Sequence, residues 1–224
     1  MIVLFRHLTF FEQVFPELKP TQIQQIDKYV DLLLHHNKKW NLISRADTRH
    51  IWTHHILPSV IVNKIIAIPR ESHVLDIGSG AGLPGIPLQI VRPDLNLTLL
   101  DSVRKKALFM RKAVEELNLS STKVLQFRLS GEKSAKILPG EFSVIIVRAV
   151  TNIENLFSLA EPLLDEEGMI ILWKGESDIG ELERVALKSP FKFQVFSVPQ
   201  HLYQFSEKFR TLRFFKLFPF KNLK

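Results

Sequence analysis

Short apolar runs alternate with helical patterns along the middle of the chain. From residue 73 onward, runs rich in apolar and β-branched residues predict buried strands at 73–77 (HVLDI), 96–101 (NLTLLD), 123–129 (KVLQFRL), 142–147 (FSVIIV) and 168–173 (GMIILW). Helical periodicity lies between them, at 103–117 and 152–164. Strands that alternate with helices and are apolar throughout predict a parallel sheet covered by helices on both faces.

The N-terminal part of the chain has a different pattern. Residues 21–39 predict a helix from the apolar spacing of Ile23, Ile26, Val30 and Leu33. Thr21 and Gln24 have the spacing of a capping box at its start. A second helix is predicted over 47–57, which Pro58 should break or kink. The first seventy residues carry no strand pattern.

The C-terminal part offers two strand-like runs, 191–198 and 209–218, without a long helix between them. We expect them to form an antiparallel hairpin at one edge of the sheet. The predicted fold is therefore α/β and Rossmann-like, with a mostly parallel seven-stranded sheet. We expect a helical N-terminal extension over 1–70 and the α/β domain over 71–224.

Composition and charge narrow the function classes. The chain has 224 residues, no cysteine and a formal net charge of +7. Without cysteine there is no disulfide, no zinc–thiolate site and no cysteine nucleophile. From Lys188 onward there are eight Lys and Arg residues against one acid, Glu207, so the excess charge lies in the tail. Such a tail suits either a phosphate-rich partner or a solvated surface.

Targeting signals are not evident in the sequence. The N-terminal segment MIVLFRHLTFFEQVF is apolar but has neither a charged leader nor a small-residue cleavage site. No apolar run approaches the roughly 18 residues that a membrane span needs. We expect a cytoplasmic protein with no membrane partner.

The segment 74–87, VLDIGSGAGLPGIP, places four glycines and two prolines directly after the first predicted strand. In doubly wound sheets the ligand binds at such a turn, where glycines let it approach the backbone. Gly80, Gly82 and Gly85 fit the dinucleotide pattern G-x-G-x-x-G, which is weak by itself. Asp76 would repel a pyrophosphate, but it suits a ligand with an ammonium and a sulfonium. The pattern D-x-G-x-G-x-G therefore resembles the cofactor loop of class I S-adenosylmethionine-dependent methyltransferases.

Two further acids support an adenosyl ligand. Asp101 ends the second strand, where doubly wound folds place an acid that accepts hydrogen bonds from ribose hydroxyls. Glu132 follows the third strand, where methyltransferases contact the adenine edge, although GEKSAK is equally suited to start a helix.

The methyl acceptor is narrowed by what the sequence lacks. The fourth strand is followed by RAV, not by the N/D-P-P-Y/F motif of amino-methylating DNA enzymes. Pyrimidine C5 methylation usually needs a cysteine nucleophile. A purine N7 already has an accessible lone pair, so alignment with the methyl donor suffices. A small-molecule acceptor would also suit such a site.

Several segments together resemble the bacterial 16S rRNA guanine-N7 methyltransferase family, historically called glucose-inhibited division protein B. These segments are 41–44 (NLIS), 54–57 (HHIL), 74–95, 98–102 (TLLDS), 147–150 (VRAV) and 172–175 (LWKG). The resemblance implies methyl transfer from S-adenosylmethionine to N7 of a guanine in small-subunit rRNA. The sequence departs from the family pattern at Pro58, where the family usually has an aspartate.

The resemblance and the sequence motifs together give a set of expected site residues. The expected cofactor contacts are Asp76, Gly78, Gly80, Gly82, Leu83, Asp101, Gly131, Glu132 and Arg148. Arg148 is also the expected catalytic anchor for the target nucleotide, because a guanidinium fits phosphate and the O6/N7 edge of guanine. The expected RNA contacts are His55, Arg104, Lys105 and Lys106, although a solvated helix face explains the last three nearly as well.

The predicted partner is 16S rRNA or the small ribosomal subunit, and we expect a monomer without a metal. Two alternatives stay open at this point. One is a methyltransferase for small molecules, and the other is a non-catalytic RNA-binding or ribosome-assembly protein with the same fold.

Overall fold

The computed structural model describes residues 2–130, 138, 142–148, 153–186 and 191–219. Seven strands lie in these residues: β1 (His73–Ile77), β2 (Asn96–Leu100), β3 (Thr122–Leu125), β4 (Phe142–Arg148), β5 (Leu164–Gly175), β6 (Phe191–Ser197) and β7 (Leu212–Pro219). They form one sheet with the order β3-β2-β1-β4-β5-β7-β6. The predicted seven-stranded sheet is therefore confirmed.

Helices surround this sheet. The α-helices are α1 (Ile2–Val14), α2 (Pro20–Trp40), α3 (Leu57–Val60), α4 (Val62–Ile65), α5 (Gly85–Val91), α6 (Arg104–Glu116), α7 (Ile153–Ala160), α8 (Ile179–Ala186) and α9 (Lys208–Thr211). A 3₁₀ helix spans Asp47–His50 and a π-helix spans Trp52–Ile56. In the described part of the chain, no helix has the length and apolar character that crossing a membrane demands.

The first five strands are parallel, as the continuously apolar pattern predicts. β1 lies at the centre and pairs in parallel with both β2 and β4. Val74 and Leu75 on neighbouring positions of β1 are both fully buried, which places apolar side chains on both faces of the sheet. Parallel strands end at the same edge, so the residues after β1, β2, β4 and β5 share one crevice.

The C-terminal hairpin is confirmed, with an order that the sequence did not reveal. β7 pairs antiparallel with β5 on one side and with β6 on the other. The last strand therefore lies inside the sheet, and β6 forms the edge. Phe214 and Phe215 of β7 are both fully buried, one in each of the two hydrophobic clusters that flank the sheet.

The helical N-terminal segment shares its core with the sheet. One hydrophobic cluster includes Ile26 and Leu33 of α2 together with residues of β1, β2 and β4. The fully buried Tyr29 donates its hydroxyl hydrogen to the carbonyl of Ala81 at 2.7 Å. Helix α2 thus packs directly against the glycine-rich loop after β1 and supports its shape.

One local prediction in the N-terminal segment is wrong. Helix α2 begins one residue before Thr21, and its cap is Lys19, whose N–H donates to Gln22 Oε1 at 3.0 Å. The predicted Thr21–Gln24 box fails because Pro20 occupies the first turn, where its missing N–H costs nothing. At Pro58, where a break or kink is predicted, the chain passes from the π-helix straight into α3, so the type of helix changes next to the proline but the helix does not end there.

Candidate active site

The loop after β1 is built from glycines with left-handed backbone. Gly78, Gly80 and Gly82 have φ of 71°, 60° and 85°. A Cβ on Gly78 would meet nothing within 4 Å, and one on Gly80 only the Gly78 carbonyl at 3.9 Å. A Cβ on Gly82 would instead lie 2.4 Å from Ile86 Cδ1. The first two glycines therefore leave open space on the loop, whereas the third allows the loop to pack on α5.

Asp76 lies in β1, one residue before the strand ends and the loop begins, and is fully buried. Its Oδ2 accepts the N–H of Gly85 at 3.0 Å, and its Oδ1 is buried without a hydrogen-bond partner. Burial raises the pKa of this carboxyl to about 7, against the lowering effect of the hydrogen bond from Gly85. The carboxylate is thus poised to gain from a cation placed beside it.

Asp101 follows β2 and is oriented by two main-chain donors. Its Oδ2 accepts the N–H of Gly80 at 2.9 Å, and its Oδ1 accepts the N–H of Val103 at 2.8 Å. The first bond links the end of β2 to the glycine loop after β1. Because each carboxylate oxygen has two lone pairs, both oxygens keep capacity for a further donor.

The predicted basic residues at the start of α6 do not all point the same way. Arg104 and Lys105 are exposed. Lys106 is half-buried, and its Nζ lies 3.7 Å from Asp101 Oδ2. Lys106 therefore faces the carboxylate at the end of β2, beside the glycine loop.

Arg148 ends β4 and is held by the π-helix. In the sheet, Ile77 pairs with Val147, so Arg148 is level with the first glycine of the loop. Its Nη2 donates to the carbonyl of His54, and its Nη1 donates to that of His55 at 3.5 Å. Burial lowers the pKa of this arginine to about 10, and the attraction of Asp47 and Asp76 opposes that shift.

The π-helix explains why Arg148 finds these acceptors. Pro58 has no N–H to give to the carbonyl four residues earlier, that of His54. Three side chains from the rest of the chain donate hydrogen bonds to main-chain carbonyls here, in place of main-chain donors. Arg148 donates to the carbonyl of His54, and Ser206 Oγ donates to that of Thr53 at 2.8 Å. Trp173 Nε1 donates to the carbonyl of Pro58 at 2.7 Å. The residue at which the family pattern is broken thus lies in the contact between the helical segment and the sheet.

A cavity of about 350 Å³ opens between the π-helix and the ends of β4 and β5. It is lined by Asp47, His54, His55, Pro58, Arg148, Lys174, Gly175, Lys208, Thr211 and Leu212. His54 Nδ1 donates to Asp47 Oδ1 at 2.9 Å, and Ser44 Oγ donates to Asp47 Oδ2 at 2.6 Å. The pKa of Asp47 is lowered to about 2, chiefly by the hydrogen bond from Ser44.

His55 lies in the same cavity and is neutral at physiological pH. Burial, followed by the positive charge of Arg148, lowers the pKa of His55 to about 4. Its Nε2 is buried without a hydrogen-bond partner and lies 3.6 Å from Asp47 Oδ2.

The structure gathers most of the residues that the sequence singled out. Gly78, Gly80, Gly82 and Leu83 lie in one loop, Asp76 lies at the end of the strand before it, and Asp101 accepts a hydrogen bond from Gly80 of that loop. His55 and Arg148 lie at the cavity, on the β4–β5 side of that loop. Gly131 and Glu132 lie outside the described residues. No group of three or more metal-ligating side chains occurs within the part of the chain that the structure describes.

Sequence reasoning missed Tyr29, Asp47, Lys174 and Lys208. Tyr29 looked like one more apolar position of α2. Lys174 comes directly after the predicted strand 168–173, where a lysine is common. The spacing of Ser44 and Asp47 is that of a turn capped by its own side chains, which gave a weak local signal.

Comparison with known proteins identifies the family. The family model described as rRNA small subunit methyltransferase G, or GidB, matches residues 22–208. The chain belongs to this family. Its members are S-adenosylmethionine-dependent methyltransferases of small-subunit rRNA, which confirms the resemblance seen in the glycine-rich segment.

Individual relatives agree with the family assignment. The chain is 37% identical over 169 residues to the ribosomal RNA small subunit methyltransferase G of Moorella thermoacetica, covering 75% of this chain and 70% of the relative. It is 36% identical over 183 residues to that of Yersinia pseudotuberculosis, covering 80% and 85%. The family match over residues 22–208 includes most of α2, all of α3 and α4, and six of the seven strands of the sheet.

Solved structures confirm the fold at much lower identity. A methyltransferase dependent on S-adenosylmethionine from Aquifex aeolicus matches with a TM-score of 0.60 and 12% identity, covering 78% of this chain and 95% of that one. The Methanococcus jannaschii fibrillarin pre-rRNA processing protein matches with a TM-score of 0.58 and 14% identity, covering 75% and 76%. These matches confirm the predicted Rossmann-like methyltransferase fold.

Proposed function

We propose that this protein transfers a methyl group from S-adenosylmethionine to N7 of a guanine in 16S rRNA. The observation that carries the proposal is the hydrogen bond between Asp101 and the N–H of Gly80. This bond joins the acid after β2 to the open glycine loop after the neighbouring strand β1. The chain that contains it belongs to the rRNA methyltransferase family.

The loop residues fit the proposed cofactor. The space beside Gly78 and Gly80 admits a ligand to the backbone, and Asp101 keeps lone pairs for ribose hydroxyls. The unpaired Oδ1 of Asp76 suits a nearby positive charge. We assign the cofactor contacts to Asp76, Gly78, Gly80, Gly82, Leu83, Asp101, Gly131, Glu132 and Arg148. S-adenosylmethionine, when bound there, supplies a methyl group on a sulfonium.

Methylation of guanine N7 requires little of the protein beyond aligning the base with the methyl donor. Guanine N7 has a lone pair in the base plane and no proton to lose, so a general base has no task. The protein must hold the base in line with the donor. His55 lies in the same cavity and is neutral at physiological pH, so it adds no positive charge to that of Arg148.

The RNA partner is proposed to lie across the carboxyl edge of the sheet. Arg104 and Lys105 are exposed at that edge and are suited to phosphate contacts, as the sequence predicts. Lys106 is proposed to act closer to the ribose site, since it already faces Asp101. We further propose that the protein acts as a monomer in the cytoplasm.

The decisive experiment is a methyl-transfer assay. Labelled S-adenosylmethionine is incubated with small subunits from cells that lack the enzyme, and the rRNA nucleosides are analysed by mass spectrometry. The expected product is 7-methylguanosine. Cofactor binding without transfer to RNA would favour a small-molecule acceptor, and RNA binding without cofactor binding would favour a non-catalytic binding protein.

A further inference from the structure

The cavity beside Arg148 carries more positive than negative charge, which suits a nucleotide. Of the described residues that line it, Arg148, Lys174 and Lys208 are cationic and Asp47 alone carries a carboxylate. Lys174 Nζ lies 3.7 Å from Asp178 Oδ1, whereas Lys208 is an exposed residue of α9. A phosphate at the mouth would be attracted by these side chains.

The size of the cavity limits the ligand to one nucleotide. About 350 Å³ lies at the lower end of the range of about 300–1,000 Å³ that ligand pockets occupy. A base pair does not fit such a space. A base in it must be unstacked from its neighbours, as in other enzymes that carry out chemistry on nucleobases.

The cavity lies next to the proposed binding site of the methyl donor. The proposed cofactor loop follows β1, and Arg148 ends the neighbouring strand β4. Asp47 on the cavity side and Asp76 on the loop side both attract the Arg148 guanidinium. Arg148 therefore borders both the cavity and the proposed cofactor site. A base in the cavity would have one edge toward Asp47 and the other toward the proposed cofactor site.

Asp47 has the hydrogen-bonding capacity to distinguish guanine from adenine. Ser44 and His54 donate to its two oxygens, which leaves one lone pair on each oxygen. Guanine presents two adjacent donors, N1–H and N2–H, and these match a carboxylate as the two prongs of a guanidinium do. Adenine has an acceptor at N1 and no amino group at C2. A guanine bound by these donors turns its N7 edge away from Asp47.

We propose that this cavity receives the acceptor guanosine and that Asp47 is its specificity-determining residue, accepting hydrogen bonds from N1–H and N2–H of the base. The inference rests on the proposed function, because it assumes a guanine acceptor methylated at N7. It adds the residue that selects the base, and it assigns Asp47 no part in methyl transfer itself.

The test compares guanosine with inosine at the target position of reconstituted small subunits. Inosine keeps N7 and N1–H but lacks the N2 amino group. The wild-type protein should methylate guanosine with a kcat/KM about 10- to 150-fold above that for inosine, the effect of one hydrogen bond to a charged group. In Asp47→Asn that ratio should fall toward 1, because the amide replaces one of the two acceptor oxygens with an NH2 group that faces a donor of the base.

Control variants separate base selection from loop structure. Ser44→Ala removes the Asp47–Ser44 bond but keeps the carboxylate, so the guanosine-to-inosine ratio should stay at the wild-type value. Asp31→Asn changes an exposed acid of α2 and should also leave it unchanged. S-adenosylmethionine affinity, measured by calorimetry, should be equal in all three variants.

The outcomes distinguish this inference from the proposed function. A wild-type protein that forms no 7-methylguanosine would overturn both. Normal 7-methylguanosine formation with equal rates on guanosine and inosine would overturn the inference alone. So would an unchanged ratio in Asp47→Asn, or a ratio that collapses equally in Ser44→Ala.

Discussion

The guanidinium of Arg148 donates a hydrogen bond to the main-chain carbonyl of His54, 94 positions away in the chain. The bond connects the end of a central strand to a π-helix whose own donor is missing at Pro58. The catalytic anchor predicted from the sequence is therefore also a structural tie between the helical segment and the sheet.

Arg148→Lys tests that tie because it keeps the charge and removes the forked donor geometry. We expect the free energy of unfolding to fall by about 1–3 kcal/mol, since the part-buried carbonyl of His54 loses its partner. Methyl transfer should fall as well. Arg210→Lys is the matched control, since Arg210 is exposed and bonds Glu207. Equal urea-unfolding curves for Arg148→Lys and the wild type would contradict the prediction.

Asp101→Ala should separate the enzyme from an RNA-binding protein. The substitution removes the acceptor for the N–H groups of Gly80 and Val103 and, on the proposed function, for the ribose. We expect affinity for S-adenosylmethionine to fall by at least about 10-fold, the value of one charge-assisted hydrogen bond. Methyl transfer should be abolished, whereas RNA affinity in a filter-binding assay should be unchanged. Unchanged transfer would remove Asp101 from the cofactor site.

The sequence predicted what depends on periodicity and on special backbone geometry. The parallel strands were evident from their apolar runs, and the cofactor loop from glycines that accept positive φ. The cavity was not evident, because the residues that line it, among them Asp47, Arg148 and Lys208, lie far apart in the chain. Its shape also depends on a π-helix at Pro58, and helical periodicity does not distinguish an α-turn from a π-turn.

Glycine substitutions should show which glycines serve packing. A Cβ on Gly85 would lie 2.5 Å from Leu99 Cδ2 and 2.7 Å from Asp76 Oδ2. Gly85→Ala should therefore destabilise the fold by about 1–3 kcal/mol through overpacking. Gly180 in α8 has open space around it, so Gly180→Ala should stabilise the protein by about 0.5–1 kcal/mol. Thermal unfolding of both variants checks the contrast, and destabilisation by Gly180→Ala would contradict it.

His7 should make the fold sensitive to acid. It is stacked on Trp52 with both ring nitrogens buried and unbonded, and burial lowers its pKa to about 4. Between pH 6.5 and 4 the unfolded chain binds a proton that folded His7 does not, so stability falls as pH falls. His7→Phe should flatten this part of the curve of unfolding free energy against pH. His55 contributes in the same direction and remains in the variant, so a slope identical to that of the wild type would exclude His7 as a contributor.

Asp76 should give cofactor binding a pH dependence of its own. Its folded pKa is raised to about 7, so the folded protein without ligand holds a proton on Asp76 below that pH and loses it above. The ammonium and sulfonium of S-adenosylmethionine favour the ionised carboxylate, so binding must displace the proton at lower pH. The dissociation constant should therefore rise by up to about tenfold per pH unit below 7 and level off above it. Asp76→Asn should bind weakly with no such slope, because its amide does not ionise. Calorimetric titrations from pH 5.5 to 8.5 measure both curves. A wild-type affinity that is constant across this range would show that Asp76 does not sense the cofactor's charge.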